Sequence, residues 1–139
     1  MRRACAALTL VTLVSAANLP KMDLLSKCDP YCIFYINGTH SAAKKSSVRK
    51  NTKNPEWQET LSFRVSDSTT ILTVTVWDKD KVTEDDMIGS AFVDLDNFTF
   101  GEEREVTLSL QNSLLARKIR ESKVTLKVLI TDAEVNPTP

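Results

Sequence analysis

Hydrophobic and polar residues alternate along several short runs of this chain. Within Ile71–Trp77, Leu72, Val74 and Val76 alternate with threonines, and Lys123–Thr131 repeats the same pattern. A period of two places successive side chains on opposite faces of a β-strand. One face of each such strand is therefore expected to pack into a core while the other meets solvent.

Eight runs of this kind, separated by turn residues, predict an all-β protein whose strands form two antiparallel sheets packed face to face. The predicted strands are Leu8–Ala16, Tyr31–Ile36, Ala43–Arg49, Trp57–Val65, Ile71–Trp77, Ile88–Leu95, Arg104–Leu110 and Lys123–Thr131. The one predicted helix is Ser113–Arg120. Its Leu114, Leu115 and Ile119 are expected to cover a sheet edge.

The 139 residues suffice for one domain with a real core. We predict a short extension over residues 1–7, the domain over 8–132 and a linker or tail over 133–139.

Lysine plus arginine and aspartate plus glutamate number 18 each, so no charge excess favours nucleic acid as a partner. One histidine, three glycines and no G-x-S-x-G motif give little basis for catalysis, so we predict that this chain is not an enzyme.

The N-terminus has two interpretations. A basic start, an apolar run and a small-residue end resemble a secretory signal, and sequons begin at Asn37 and Asn97. The same apolar run, Leu8–Val14, is equally typical of a buried strand that leads into the first acidic loop. We favour the strand, because its removal would leave a hole in the core.

Three cysteines cannot all pair within the chain, which favours a reducing compartment. Cys28 and Cys32 have a C-x3-C spacing that zinc could use, but no second pair of soft ligands accompanies them. We therefore interpret both as small apolar residues beside a strand.

Two clusters of aspartates, each in a loop next to a predicted strand, are the main chemical signal. Asp23 and Asp29 form the first cluster, and Asp78, Asp80 and Asp86 form the second as D-x-D-x5-D. If the fold brings the two loops together, five carboxylates crowd one rim, and their repulsion favours a bound cation. Hard oxygen ligands point to Ca²⁺.

Apolar residues lie among these aspartates. Leu24, Leu25 and Val82 have no obvious core to enter, so we expect them to insert into a membrane, although a leucine could instead pack under its own loop. The nearby cations either contact phosphates or balance the aspartates; they are Lys21, Lys27, Lys79 and Lys81.

A basic run follows His40, which we expect on a surface loop. Strand geometry predicts Lys45 and Arg49 on one face and Lys44 and Lys50 on the other.

Three separated motifs make the sequence similar to the calcium- and phospholipid-binding C2 domain. They are NLPKMDLLSKCDPY, KNTKNPEWQETLSF and VTVWDKDKVTEDDMIG, and the similarity extends from about Leu8 to Asp132. The resemblance implies a C2-type β-sandwich in which Asp23, Asp29, Asp78, Asp80 and Asp86 bind Ca²⁺, with two ions expected. The strand order resembles the circularly permuted (type II) topology, and the sequence looks most similar to the N-terminal C2 domain of cytosolic phospholipases of the A2 group.

The resemblance also suggests residues for lipid headgroups and for extra metal contacts. In the family the basic strand region often binds anionic headgroups, and the matching residues here are Lys44, Lys45, Arg49, Lys50 and Lys53; a solvated sheet face is the alternative. Asn54 matches a position that is an additional ligand in some phospholipases, and it could equally start a turn. Asp85 could replace Asp86 in a shifted loop.

The expected function is therefore a calcium-dependent module that docks an attached protein, such as a lipase, on phospholipid membranes. We expect a cytoplasmic monomer that calcium recruits to intracellular membranes and that is joined to a downstream domain. One alternative is a calcium-regulated module that binds proteins rather than lipid. A small metal-dependent lipase or phosphatase is a third class, which the lack of paired catalytic groups disfavours.

Overall fold

The computed structural model describes residues 7–22, 28–65 and 70–132. In this part of the chain, eight strands form two four-stranded antiparallel sheets, which confirms the predicted sandwich. The strands are β1 (Ala7–Ala17), β2 (Pro30–Ile36), β3 (Lys44–Lys45), β4 (Glu56–Val65), β5 (Ile71–Asp78), β6 (Asp86–Asp94), β7 (Arg104–Ser109) and β8 (Lys123–Asp132). No helix in the described ranges has the length and apolar character that crossing a bilayer requires.

The order of the strands places the two ends of the domain in one sheet. The first sheet has the order β4-β1-β8-β7, and the second has the order β3-β2-β5-β6. Because β8 lies between β1 and β7, the first and last strands of the domain are neighbours in the same sheet. The permuted (type II) topology has this arrangement. The apolar N-terminal run is β1, which pairs with β4 on one side and β8 on the other. This run is therefore a central strand of the fold.

The core lies between the two sheets and follows the alternation of the sequence. Leu13 of β1, Leu126 of β8, Phe34 of β2 and Val74 of β5 are all fully buried. Burial of such side chains is the main favourable term in folding, at about 1.5–3 kcal/mol for each large residue. The sandwich therefore provides a rigid base for the connections at its ends.

Thr75 departs from the simple alternation, because it is buried although it points to the outer face of β5. The indole nitrogen of Trp77 donates a hydrogen bond to Thr75 Oγ1 (2.9 Å), and that hydroxyl donates to the Ile33 carbonyl (3.2 Å). Two partners satisfy the hydroxyl, so its burial costs little.

Strand β3 is much shorter than the predicted run Ala43–Arg49, and that prediction was wrong in extent. Beyond Lys45, the Ser46 hydroxyl accepts a hydrogen bond from the Cys32 N–H (2.8 Å), replacing a backbone carbonyl in the ladder. Local side-chain bonds of this kind compete with regular strand pairing.

The predicted helix Ser113–Arg120 is also wrong. Ser113–Leu115 forms a single 3-10 turn, in which the Asn112 side chain accepts a hydrogen bond from the Leu114 N–H, and residues 116–121 are turns. An eight-residue segment is too short to form a stable α-helix without strong packing. Ile119 is buried and Leu115 partly buried, whereas Leu114 is 91% exposed and covers no sheet edge.

Both described cysteines belong to the core. Cys28 and Cys32 are fully buried and are not joined in a disulfide. The Cys28 thiol donates to the Pro20 carbonyl (2.8 Å), and burial raises the pKa of the Cys32 thiol. Cys32 is thus kept as an uncharged thiol, and the structure supports the apolar interpretation of this pair over a zinc site.

We predict that Leu126→Ala lowers the free energy of unfolding by about 2–5 kcal/mol, because it leaves a cavity between the sheets. Urea unfolding followed by tryptophan fluorescence measures this change. The neighbouring Lys127→Ala is the control, and its effect should stay within about 0.5 kcal/mol. Similar losses in both variants would contradict the assignment of the core.

Candidate metal centre

Strand pairing brings the two acidic loops together at one end of the sandwich. β2 begins at Pro30, which pairs with Asp78, the last residue of β5. The backbone N–H of Asp29 donates to Asp78 Oδ1 (2.9 Å), and the N–H of Lys79 donates to the Asp29 carbonyl (2.9 Å). Segments 49 residues apart in the chain thus meet through both backbone and side-chain bonds.

Two further aspartates lie at the same end. Asp86 begins β6 directly opposite Asp78, and Asp80 lies in the connection between β5 and β6. We call the end of the sandwich that carries Asp29, Asp78, Asp80 and Asp86 the acidic end. Asp23, the fifth predicted ligand, lies outside the described residues, as do Leu24, Leu25 and Lys27.

The described carboxylates do not converge on a single point. Within residues 7–22, 28–65 and 70–132, no three acidic, histidine or cysteine side chains are close enough to hold one ion. Like charges repel one another unless a cation lies between them. The donor chemistry nonetheless fits Ca²⁺, because all four carboxylates offer hard oxygens on connections at one end of the fold.

The carboxylate of Asp80 is stabilised in its charged form by its own loop. Its Oδ1 accepts hydrogen bonds from the backbone N–H groups of Val82 (2.9 Å) and Thr83 (3.1 Å). These bonds lower the pKa of Asp80. The side chain is therefore held in place and charged at neutral pH, as a metal ligand must be.

Asp85 has a different role from its neighbour Asp86. Its Oδ1 accepts from the backbone N–H of Asp80 (2.9 Å), and its Oδ2 accepts from the Tyr31 hydroxyl. The Asp80 N–H, the Tyr31 hydroxyl and the Lys79 ammonium (3.8 Å) together lower the pKa of Asp85. Asp85 is thus occupied in fixing the loop, which favours Asp86 as the rim residue.

Tyr31 anchors this arrangement in β2. Burial raises the pKa of its hydroxyl, and the hydrogen bond to Asp85 raises it further. The hydroxyl therefore keeps its proton and remains a donor to Asp85 across the physiological pH range.

Two asparagines of the β3–β4 connection, Asn51 and Asn54, contact the segments around the first acidic loop. The Asn54 side-chain oxygen accepts from the Asn18 N–H (2.9 Å), which joins the residue before Pro55 to the end of β1. Asn51 was missed, yet its backbone N–H donates to Asp29 Oδ1 (2.6 Å). The only sequence signal was that asparagine tolerates the left-handed backbone, which Asn51 adopts with φ of 52°.

Some of the apolar and basic residues at the acidic end are exposed, and others contact a neighbouring side chain. Val82 is 90% exposed at the tip of its loop, and Lys21 and Lys81 are exposed. Lys79 pairs with Asp85, which supports a charge-balancing role for this lysine. The Val82 side chain is therefore not part of the hydrophobic core and is accessible to a binding partner.

The basic run after His40 does not form one face. Lys44 Nζ lies over the ring of Phe63 (5.4 Å), whereas Lys45 Nζ lies over the ring of Tyr31 (5.7 Å). Lys50 and Lys53 are exposed in the connection between β3 and β4, next to the first acidic loop. The exposed ring of His40 lies against Tyr35, with the centroids 4.1 Å apart, as expected for a surface residue.

Arg49 bridges the two sheets rather than facing a free surface. Its guanidinium donates to the carbonyls of Glu56 (2.9 Å) and Trp57 (3.4 Å) and pairs with Glu59 (3.2 Å). Burial alone would raise the pKa of Glu59, but hydrogen bonds from Ser47 and the Arg49 charge outweigh it and lower the pKa. This placement does not support the prediction that Arg49 binds headgroups or shares a free face with Lys45.

Comparison with known proteins agrees with this geometry. The C2 domain family matches residues 8–110. The chain is 36% identical over 124 residues to a calcium-dependent lipid-binding protein of Arabidopsis thaliana, covering 86% of this chain and 24% of that protein. It is 33% identical over 101 residues to cytosolic phospholipase A2 delta of Mus musculus, covering 72% of this chain and 12% of that protein. The chain thus spans less than a quarter of either curated relative.

A solved C2 domain of plant extended synaptotagmin 1 has the same fold. It superposes with a TM-score of 0.85 at 27% identity, covering 96% of this chain and 100% of that one. The mouse relative confirms the expected similarity to phospholipases of the A2 group. The chain is also similar to plant proteins outside that group.

We predict that Arg49→Ala lowers the free energy of unfolding by about 1–2 kcal/mol, because it leaves the Glu56 and Trp57 carbonyls with one donor fewer and breaks a partly exposed ion pair. Urea unfolding with chelator present measures the change. Lys50→Ala, one residue away and exposed, is the control and should stay within about 0.5 kcal/mol. If the two variants unfold alike, Arg49 does not bridge the sheets.

Proposed function

Because the chain belongs to the C2 domain family, we propose that it is a calcium-dependent module that docks an attached protein on phospholipid membranes. The observation that carries this proposal is the junction of the two acidic loops, where the Asp29 N–H donates to Asp78 Oδ1 at 2.9 Å. It gathers carboxylates that no hydrophobic or catalytic role explains. Excess negative charge at one end of a fold favours divalent cations.

The ligands in this proposal are the carboxylates of Asp29, Asp78, Asp80 and Asp86, together with Asp23. Asp80 is held charged by two backbone N–H groups, and Asp85 stays out of the ligand set because Tyr31 and the Asp80 N–H occupy it. Two ions would carry four positive charges against five carboxylates, nearly neutralising the rim. Bound calcium also leaves coordination positions open, which oxygen atoms of lipid phosphates can fill.

The carboxylates produce the calcium dependence electrostatically. Without calcium, the acidic end repels an anionic bilayer; with the carboxylates neutralised, that repulsion disappears. The sandwich underneath does not need to rearrange, since its core and the β2–β5 pairing are already complete. The switch is a change of local charge on a fixed scaffold.

Apolar loop residues add a second contribution. Val82 is 90% exposed at the tip of the β5–β6 connection, and Leu24 and Leu25 are the proposed counterparts in the first loop. Insertion of each into the acyl boundary contributes on the order of 1.5–3 kcal/mol.

Exposed lysines complete the proposed contact. Lys50 and Lys53 lie in the connection next to the first acidic loop, and Lys45 lies over Tyr31, the residue that holds Asp85 at the acidic end. Lys44 lies instead over Phe63 of the opposite sheet, and Arg49 joins the sheets. Each basic residue near an anionic surface contributes about 1 kcal/mol. We therefore narrow the predicted headgroup set to Lys45, Lys50 and Lys53.

The length of the relatives supports the proposal that the module is attached to a further domain. Because the chain spans 24% and 12% of two relatives, one of them a phospholipase, we propose a non-enzymatic, monomeric module that acts on behalf of a further domain such as a lipase. The module is proposed to be cytoplasmic and to move to intracellular membranes when calcium rises.

We predict that Asp80→Asn weakens calcium-dependent binding to phospholipid vesicles by roughly tenfold or more, because calcium affinity depends on the number of ligand charges. The amide keeps an oxygen for the Val82 and Thr83 N–H groups, so the loop stays folded while one ligand charge is lost. Flotation with vesicles across a calcium titration measures the effect.

The matched control is Asp94→Asn, which removes one carboxylate charge at the opposite end of β6 and still accepts from the Asp96 N–H. It should leave the calcium titration unchanged. Flotation of the parent chain that is equal in calcium and in chelator would contradict the proposal, and calcium binding without flotation would favour a protein partner instead.

We predict that Val82→Ala weakens attachment to vesicles roughly 10- to 20-fold, because two methyl groups leave the acyl boundary at about 0.8 kcal/mol per carbon. Calcium affinity without vesicles, measured by calorimetry, should not change. A fall in calcium affinity instead would place Val82 in the metal site rather than in the membrane.

A further inference from the structure

The connection between β7 and β8, residues 110–122, also lies at the acidic end, which its sequence does not indicate. β8 begins at Lys123, which pairs with Ala17, the last residue of β1. The Ser122 hydroxyl donates to the Asn18 carbonyl (2.6 Å), and the Asn18 amide donates to the Glu121 carbonyl (3.2 Å). One side of this connection is therefore fixed to the segment that leads into the first acidic loop.

The other side is fixed to the start of β6, beside Asp86. The Asn112 side-chain amide donates to the carbonyls of Met87 (3.3 Å) and Ile88 (3.2 Å). Gln111 and Ser90 exchange backbone hydrogen bonds at 2.8 and 2.9 Å. The connection thus extends across the acidic end from the first loop to the third.

The interior of the connection is anchored, and its exterior is apolar and basic. Leu110 and Ile119 are buried, whereas Leu114 is 91% exposed. Arg117, Lys118 and Arg120 are exposed, and none of them forms an ion pair within the described part of the chain. With Glu121, residues 110–122 carry three positive charges and one negative charge, a net charge of +2.

We propose that this connection is an additional membrane-contact surface that binds the headgroups of anionic phospholipids and inserts Leu114. The inference rests on the proposed function, since it uses the same docking orientation. An exposed leucine bordered by exposed cations matches an interfacial membrane contact. Its continuity with the acidic end places it against the bilayer that Val82 meets.

The surface complements the metal centre because its charge does not depend on calcium. Its cations attract an anionic bilayer at all calcium concentrations, while the carboxylates of Asp78 and Asp86 repel that bilayer until they are neutralised. The connection therefore supplies a preference for anionic lipid, and the carboxylates supply the calcium dependence.

The test is flotation in saturating calcium with vesicles of phosphatidylcholine alone and of phosphatidylcholine mixed with phosphatidylserine. Arg117→Gln/Lys118→Gln should bind the mixed vesicles roughly 10- to 30-fold more weakly and bind phosphatidylcholine within about twofold of the parent chain. The matched double variant Arg64→Gln/Lys127→Gln removes two charges away from the acidic end and should change neither.

Leu114→Ala should weaken binding to both kinds of vesicle roughly 10- to 60-fold, because three carbons leave the acyl boundary and an apolar contact does not depend on headgroup charge. Calcium affinity without vesicles and thermal unfolding in chelator should equal those of the parent chain in every variant. These two readouts exclude damage to the fold or to the metal centre as the cause.

Equal losses in the two double variants, or none in either, would overturn this inference while leaving the proposed function intact. Absence of calcium-dependent flotation in the parent chain would instead overturn both. Loss of binding to phosphatidylcholine alone by Arg117→Gln/Lys118→Gln would contradict the assignment of these cations to anionic headgroups.

Discussion

The pairing of β2 with β5 is the constraint on which the acidic end depends. It sets Asp29 beside Asp78 and lets a backbone N–H of one loop bond to the carboxylate of the other. The same ladder buries Phe34 and Val74, so the hydrophobic core holds together groups that repel one another. Part of the cost of holding like charges at one end of the fold is thus offset by packing far from them.

The fold also limits how far the site can relax. Arg49 and Glu59 tie the β3–β4 connection to the opposite sheet, and Tyr31 with Asp85 fixes the β5–β6 connection. The backbone around the described carboxylates Asp29, Asp78, Asp80 and Asp86 is therefore held by hydrogen bonds and ion pairs of the fold. Such preorganisation lowers the entropy that binding would otherwise cost.

The alternation and turn residues of the sequence predicted seven of the eight strands to within about two residues, because burial of alternate side chains in the core determines most of them. It failed where side chains replace backbone partners, at Ser46 and around Asn112. The junction of the acidic loops was predictable from strand ends together with the family resemblance. The roles of Asp85, Asn51 and Arg49 were not, because each depends on a partner in another element of the fold, which the alternation along one strand does not identify.

A bilayer is a plane, so in the proposed docking every connection at one end of the sandwich meets it at the same time. The β3–β4, β5–β6 and β7–β8 connections each present exposed lysines, arginines or apolar residues at the acidic end. Contacts that are individually weak act together once one of them is made, because the others are then held at high effective concentration. Electrostatic repulsion between the carboxylates and an anionic bilayer opposes these combined contacts until the carboxylates are neutralised. In the proposed function, a modest change in charge at Asp78 and its neighbours therefore controls attachment whose energy comes largely from residues outside the proposed ligand set.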